Sequence, residues 1–396
     1  MHDRALDGQQ RPVGGGAAHR LAHPEGLDRI FFTNGERTPT STRSGWRGYT
    51  GRQKVLSTYR SYHGGTQLAI NVTGDPRRWA NDTASTGTVH FFGPFLYRSA
   101  FSASTEAEEC ERALAHLEQV IALEGPSTIA AIVLESIPGT AGIMIPPPGY
   151  LSGSVSSANR HGIMLVADEV MSGFGRSGRW FAIEHDDVVP DLLTFAKGVN
   201  SGYVPLGGVA ISEPIYQTFA ERPYRRPDLL RPPARLRGGR RHHRGDGGRR
   251  RRVVEHAAAL GEEVFGPGLH ELAGRHEWIG EVRGTGVFWA LELVTDRATR
   301  EPLAPYGGSS PAMAAVLKAC REEGLLPFAN FNRIHVVPPL TISAEEARTG
   351  LDMLDRALTP RAPGCLTRAG RGRCSRGRCS GRCGWTPRDG PRRGRR

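Results

Sequence analysis

Lysine is nearly missing from this chain. Lys54, Lys197 and Lys318 are the only three, against 49 arginines in a total of 52 basic residues. That skew reads as GC-rich codon usage rather than selection for nucleic-acid contacts. Cysteine is sparse too, with six in 396 residues. Cys110 and Cys320 stand alone and read as reduced thiols. Cys365, Cys374, Cys379 and Cys383 crowd the C-terminal stretch at spacings that fit no zinc pattern, with no histidine among them, so no metal site is expected. No run of eighteen apolar residues exists, which excludes a membrane-spanning helix on pattern. The opening MHDRALDGQQ lacks the apolar core of a signal peptide. The expected location is the cytoplasm. Hydrophobic residues make up 38%, low for a well-packed enzyme of this length, so part of the chain is expected to stay outside any core.

The net charge of +12 is local rather than general. Residues 225–252 hold twelve Arg against two Asp, and residues 361–396 hold twelve Arg against one Asp. Removing those two excesses, +10 and +11, leaves −9 for the remainder, so the body is acidic. An arginine-rich stretch with His242 and His243 could be a nucleic-acid arm. It lacks interleaved aromatics and any recognisable module, and a non-catalytic basic binding protein is the weaker reading.

Residues 1–26 are polar, glycine-rich and without period. From Leu27 the pattern becomes that of a folded chain. GLDRIFFTNG reads as a strand closed by a glycine turn, and KVLSTYRSYHGG as a strand running into a loop at Tyr62, His63 and Gly64. A helix is expected over Glu106–Glu124, where Ala113, Leu114, Leu117, Val120 and Ile121 recur at helical spacing. TIAAIVLES, GIMLVADEV and DLLTFAKG are continuous apolar runs of buried-strand type. Strands of that kind alternating with helices predict an α/β fold with a mostly parallel sheet covered on both faces. Ligands in such sheets sit at the carboxyl ends of strands, where Glu135, Asp168 and Lys197 fall. A helix from Val253, the run VRGTGVFWALELV, a helix near Ala312–Glu323 and RIHVVPPLTIS predict a smaller α+β domain over 253–358. The large domain is expected over 27–252, and 359–396 as a disordered basic tail.

ADEVMSGFGRSG contains a literal G-x-G-x-x-G at Gly173, Gly175 and Gly178. A dinucleotide fingerprint needs a helix directly after the glycines and an acid about twenty residues on. RWFAIEHDD offers no strong helix start and no such acid follows. The alternative is a glycine loop that lets backbone pass close to a neighbour.

Taken with SYHGG, VLESIPGTAGIMIPPPGYL, TFAKG, VPLGG and VRGTGVFWALELV, the stretch ADEVMSGFGRSG resembles the class III aminotransferases. These are pyridoxal-phosphate enzymes of fold type I, and the likeness runs in family order over roughly Leu27–Leu358. It implies that Lys197 condenses with the cofactor aldehyde and moves the proton between substrate and cofactor carbons. It implies that Asp168 keeps the pyridine nitrogen protonated. Tyr62 resembles the aromatic that stacks on the ring and Val170 the residue beneath it. His63 stands beside Tyr62 in the same motif. Glu135 resembles the acid shaping the substrate side. Met171 stands where many relatives carry a polar residue near the cofactor hydroxyl. Many relatives place an arginine for the substrate carboxylate three residues before a Pro-Pro pair. His335 holds that position here, and Arg333, on the same strand face, could substitute. The likeness of NRIHVVPPLT implies an ω-amino acid or amine donor, a 2-oxo acid acceptor such as pyruvate, and a homodimer. An aminomutase or decarboxylase of the same superfamily is the alternative.

Two family elements are missing. After Gly35 relatives carry a G-A-x-A-N type stretch whose backbone holds the cofactor phosphate, but here stands ERTPTSTRSGW. With synonymous codons chosen for it, reading one base earlier gives GADANEHAIRM. Likewise RRPDLLRPPARLRGGRRHHRGDG, read one base later, gives GGLTYSGHPLACAAAVATIGAM, close to a family segment whose threonine reaches the partner subunit's phosphate. Segments 36–47 and 225–252 therefore look frame-shifted, and this copy is expected to be impaired.

Overall fold

Strands that are apolar along their whole length must be buried on both faces, and the computed structural model shows how. It describes residues 26–27, 29–33, 49–81, 87–221 and 247–359. Gly35, segment 36–47, most of segment 225–252, residues 1–25 and the basic tail from 360 lie outside the described residues.

Seven strands form the larger sheet: β1 (Arg29–Thr33), β2 (Lys54–Thr58), β3 (Thr88–Phe91), β4 (Ile129–Glu135), β5 (Met164–Asp168), β6 (Leu192–Phe195) and β7 (Gly207–Ile211). Their order is β1-β7-β6-β5-β4-β2-β3. The five from β3 to β6 run parallel, and β7 runs antiparallel to both its neighbours. Every residue of β4 and β5 is buried, as two-faced cover requires. The crossover rule puts helices between parallel strands. They are α1 (Gln67–Val72), α2 (Glu106–Glu124) and α3 (Tyr150–Arg160), and α4 (Glu213–Glu221) follows β7.

Helix α2 spans the residues its periodicity predicts. Thr105 caps it by accepting from Glu108 N, three glutamates sit in the first turn where the helix dipole favours them, and it buries Ala113, Leu117 and Ile121. Helix α3 gives no comparable signal, because four of its eleven residues are serine. Ser154 and Ser156 satisfy their hydroxyls by donating to carbonyls four residues back. Gly153 lets Leu114 of α2 approach so closely that an added Cβ would lie 2.4 Å from it.

The smaller sheet is antiparallel: β8 (Ile279–Thr285), β9 (Phe288–Asp296), β10 (Glu301–Pro302), β11 (Phe328–Asn330) and β12 (Arg333–Val336). Helices α5 (Gly247–Leu260), α6 (Gly266–Arg275), α7 (Pro311–Glu322) and α8 (Ala344–Leu358) belong to this half. Leu269, Leu272, Met313, Val316, Cys320, Leu351 and Leu354 form its core with the strands. Helix α5 starts six residues before Val253, inside the segment expected to be broken. Arginine is a good helix former, so Arg249–Arg252 can extend the helix that Val253–Leu260 anchor. Among the described residues no helix is long and apolar enough to cross a membrane.

The glycines after β5 serve close packing. No α-helix follows them, only a four-residue 3-10 turn at Ala182–His185, which removes the dinucleotide reading. Gly175 (φ 93°) and Gly178 (φ 83°) occupy the left-handed region. A Cβ on Gly178 would lie 3.1 Å from Ala258 of α5, and one on Gly175 3.1 Å from Val254. The loop thus passes close beneath the long helix.

Candidate active site

The carboxyl ends of β2, β4, β5 and β6 bring the expected residues together. Asp168 ends β5 and is 5% exposed. Its Oδ1 accepts from Val170 N at 3.1 Å, and His63 Nδ1 donates to its Oδ2 at 2.8 Å. His63 Nε2 lies 3.2 Å from Ser57 Oγ, which is 3.3 Å from Ser61 Oγ, and that hydroxyl donates to Thr58 O. Burial alone would lower the His63 pKa, but the hydrogen bond and charge of Asp168 outweigh it and raise the value. His63 is therefore a buried brace for Asp168.

Glu135 ends β4 and pairs in register with Asp168 on β5. Its oxygens accept from Tyr62 N and Gly139 N, both at 2.8 Å. It thereby ties the Tyr62 turn to the loop after β4. Burial pushes its pKa up to about 7, although His63 pulls the other way.

Lys197 lies three residues beyond Thr194, which pairs with Asp168 across β5 and β6. It is exposed and has a left-handed φ of 35°, a conformation that a non-glycine residue adopts only under local constraint. Tyr62 is half-buried, and the Arg77 guanidinium lies 3.4 Å from its ring centre. Arg77 is itself clamped by Asp75 and donates to Thr140 Oγ1 at 2.9 Å. One ring face of Tyr62 is thus taken by a fixed cation. Sequence reading missed Arg77, because nothing in GDPRRW distinguishes it from its neighbours.

Met171 faces the loop after β4. Gly139 sits against its sulfur so tightly that a Cβ would lie 2.7 Å away. Arg333 and His335 lie on β12, buried to 2% and 3% exposure. Arg333 donates to Ala141 O and, at 3.2 Å, to Asn330 O. The structure brings it to the loop after β4. His335 has no hydrogen-bond partner among the described residues and sits edge-on to Phe328 with centroids 5.0 Å apart. Burial, with Arg333 and Arg283 nearby, drives its pKa down to about 3. It is neutral at physiological pH and can offer a hydrogen bond but no charge.

These residues fit the ring and aldehyde ends of pyridoxal phosphate. Among the described residues Asp168 Oδ1 takes only a backbone N–H, so it keeps lone-pair capacity for a pyridinium N–H. A primary amine stands at the adjacent strand end. Gly35, expected at the phosphate end, lies outside the described residues.

A family model described as Aminotransferase class-III matches residues 28–223 and 249–358. An aminotransferase of Bacillus subtilis (strain 168), YhxA, of uncharacterised activity, is 32% identical over 74% of this chain and 65% of its own length. A taurine–pyruvate aminotransferase of Rhodobacter capsulatus is 30% identical over 85% of this chain and 76% of its own. The chain thus spans about two thirds to three quarters of these relatives. The solved taurine:2-oxoglutarate aminotransferase of Bifidobacterium kashiwanohense, in complex with PLP and glutamate, superposes with a TM-score of 0.78. It is 36% identical and covers 83% of this chain and 74% of that one. The fold is the fold-type-I transaminase architecture, and the chain belongs to the class III aminotransferases, whose cofactor is pyridoxal phosphate.

Proposed function

We propose that this chain exchanges an amino group between an ω-amino acid or amine and a 2-oxo acid such as pyruvate, and that this copy is impaired. The observation that carries the reading is the His63–Asp168 pair at the end of β5, one strand from Lys197. When bound, pyridoxal phosphate supplies an electron-withdrawing ring that stabilises negative charge on the substrate carbon. Asp168 would hold the ring nitrogen protonated, with His63 fixing that carboxylate in place. Tyr62 and Val170 would pack against the ring. Lys197 would hold the aldehyde end, and its amine, standing at the end of β6, would be the base that takes the proton from the substrate carbon. Glu135 sets the height of the Tyr62 turn. Arg333 and His335 face the substrate's acid end, with Arg333 as the charge.

The impairment reading is supported by the break in the family match between 223 and 249, where the arginine-rich segment stands. The altered stretch after Gly35 would weaken the hold on the phosphate. We expect a homodimer in the cytoplasm.

The test is a cofactor titration of the purified chain, followed by the visible absorbance of lysine-bound cofactor. Wild type should develop the band and Lys197→Ala should not. A band of equal strength in Lys197→Ala would remove Lys197 from its role. A frame-restored gene that transfers amino groups only from α-amino donors would sink the proposed donor class. Product formation from one substrate without acceptor would favour an aminomutase or decarboxylase.

A further inference from the structure

The two sheets meet over a group of guanidinium groups far apart in sequence. Arg60 follows β2 in a left-handed conformation (φ 65°), Arg98 follows β3, Arg283 lies on β8 and Arg333 on β12. Among the described residues, the carboxylates that pair with these four cations are Glu281 and Glu292, two against four in a largely buried setting.

The pairing is lopsided. Glu292 accepts from Arg98 Nε and Arg283 Nη2, both at 2.8 Å. Arg283 spends its other donors on Glu281 and the Gly142 carbonyl. The Nη2 atoms of Arg98 and Arg333 are left buried with no acceptor among the described residues. The Arg60 guanidinium lies 5.4 Å from the ring centres of both Phe95 and Tyr306, which cover its faces and leave its donor edge. A latch serving only to hold two sheets together would satisfy its donors internally, since a buried donor without an acceptor destabilises the fold. Arg60 and Arg98 also line a cavity of about 120 Å3 whose wall includes Glu135, the residue that holds the Tyr62 turn.

We propose that Arg60 and Arg98, backed by Arg333, bind the acid group of the substrate, a carboxylate or sulfonate. The inference rests on the transamination reading above. A guanidinium edge matches the two oxygens of such a group, and a dry setting strengthens the bond. Because Arg60 and Arg98 come from the larger sheet and Arg333 from the smaller, a bound acid would also draw the two sheets together.

The test uses the full chain without added cofactor, titrated at fixed ionic strength with sodium sulfate, sodium pyruvate or uncharged acetone. Tryptophan fluorescence reports binding, since Trp79 packs on Tyr306 at 6.4 Å between centroids. Both anions should saturate and compete, acetone should not, and Arg60→Gln should weaken both anions by about tenfold or more. Arg60→Lys should recover part of the loss, and circular dichroism should show each variant folded. Arg98→Met serves the same purpose if Arg60→Gln does not fold. Wild-type affinity in the folded variants, no saturable anion binding by wild type, or acetone acting like pyruvate would overturn the proposal. So would sulfate binding that pyruvate does not displace, because the anion site would then be separate from the substrate. Failure of the Lys197 reading would appear only in the cofactor titration, which this measurement does not use.

Discussion

Glu135 and Glu292 are both buried glutamates, 6% and 2% exposed, yet one titrates near 7 and the other near 2. Burial raises both. At the end of β4, Glu135 has Asp168 as a like-charged neighbour, and His63 with the backbone N–H groups of Gly139 and Tyr62 only partly offsets burial. Between the sheets, Glu292 has Arg283, Arg98 and Arg333 around it, and their charge overwhelms the desolvation. Equal burial therefore produces opposite behaviour, and the neighbours decide. The site at the larger sheet holds one proton-ready acid, Glu135, while the ground between the sheets holds cations in excess.

The largest expected effect comes from removing the one acid that organises the cations. Glu292→Gln leaves Arg98 and Arg283 buried without their shared carboxylate and should cost about 3–5 kcal/mol in urea unfolding. A loss under 1 kcal/mol would mean the cations are solvated and the contrast is false.

Glu135→Gln should act through pH instead. A carboxyl with a raised folded pKa binds its proton more tightly in the fold. Its stabilising contribution is full below about 4.5 and is lost as pH rises through about 7. Wild type should therefore lose roughly 3 kcal/mol relative to Glu135→Gln between pH 4.5 and 8, by order of magnitude. Parallel stability curves for the two proteins would contradict the raised value.

The smallest effect tests the brace behind Asp168. Ser57→Ala removes the hydroxyl facing His63 Nε2 and should destabilise by about 1 kcal/mol. It should also weaken cofactor binding in the titration above, since the His63 ring loses a partner. Full cofactor affinity with lowered stability would reduce Ser57 to a packing role.

Much of this was legible in sequence because the signals are local. Helix α2 carries its own period and cap. The apolar runs of β4, β5 and β6 end at Glu135, Asp168 and just before Lys197, so three site residues could be placed from strand ends alone. Helix α3 was not legible, because its serines carry no apolar period and its burial depends on Gly153 meeting Leu114. Arg77 was not legible either, since its value lies in reaching the Tyr62 ring and Thr140, contacts that spacing does not encode.

By itself, the sequence determined the larger sheet's buried strands, the placing of Asp168 and Lys197 at neighbouring strand ends, and the family, because each depends on residue type within a short window. Only the tertiary structure decided that His63 clamps Asp168, that the glycines after β5 make room for α5, and that Arg60, Arg98, Arg283 and Arg333 converge. Those outcomes depend on which distant side chains share a low-dielectric volume, and chain order carries no distance through space.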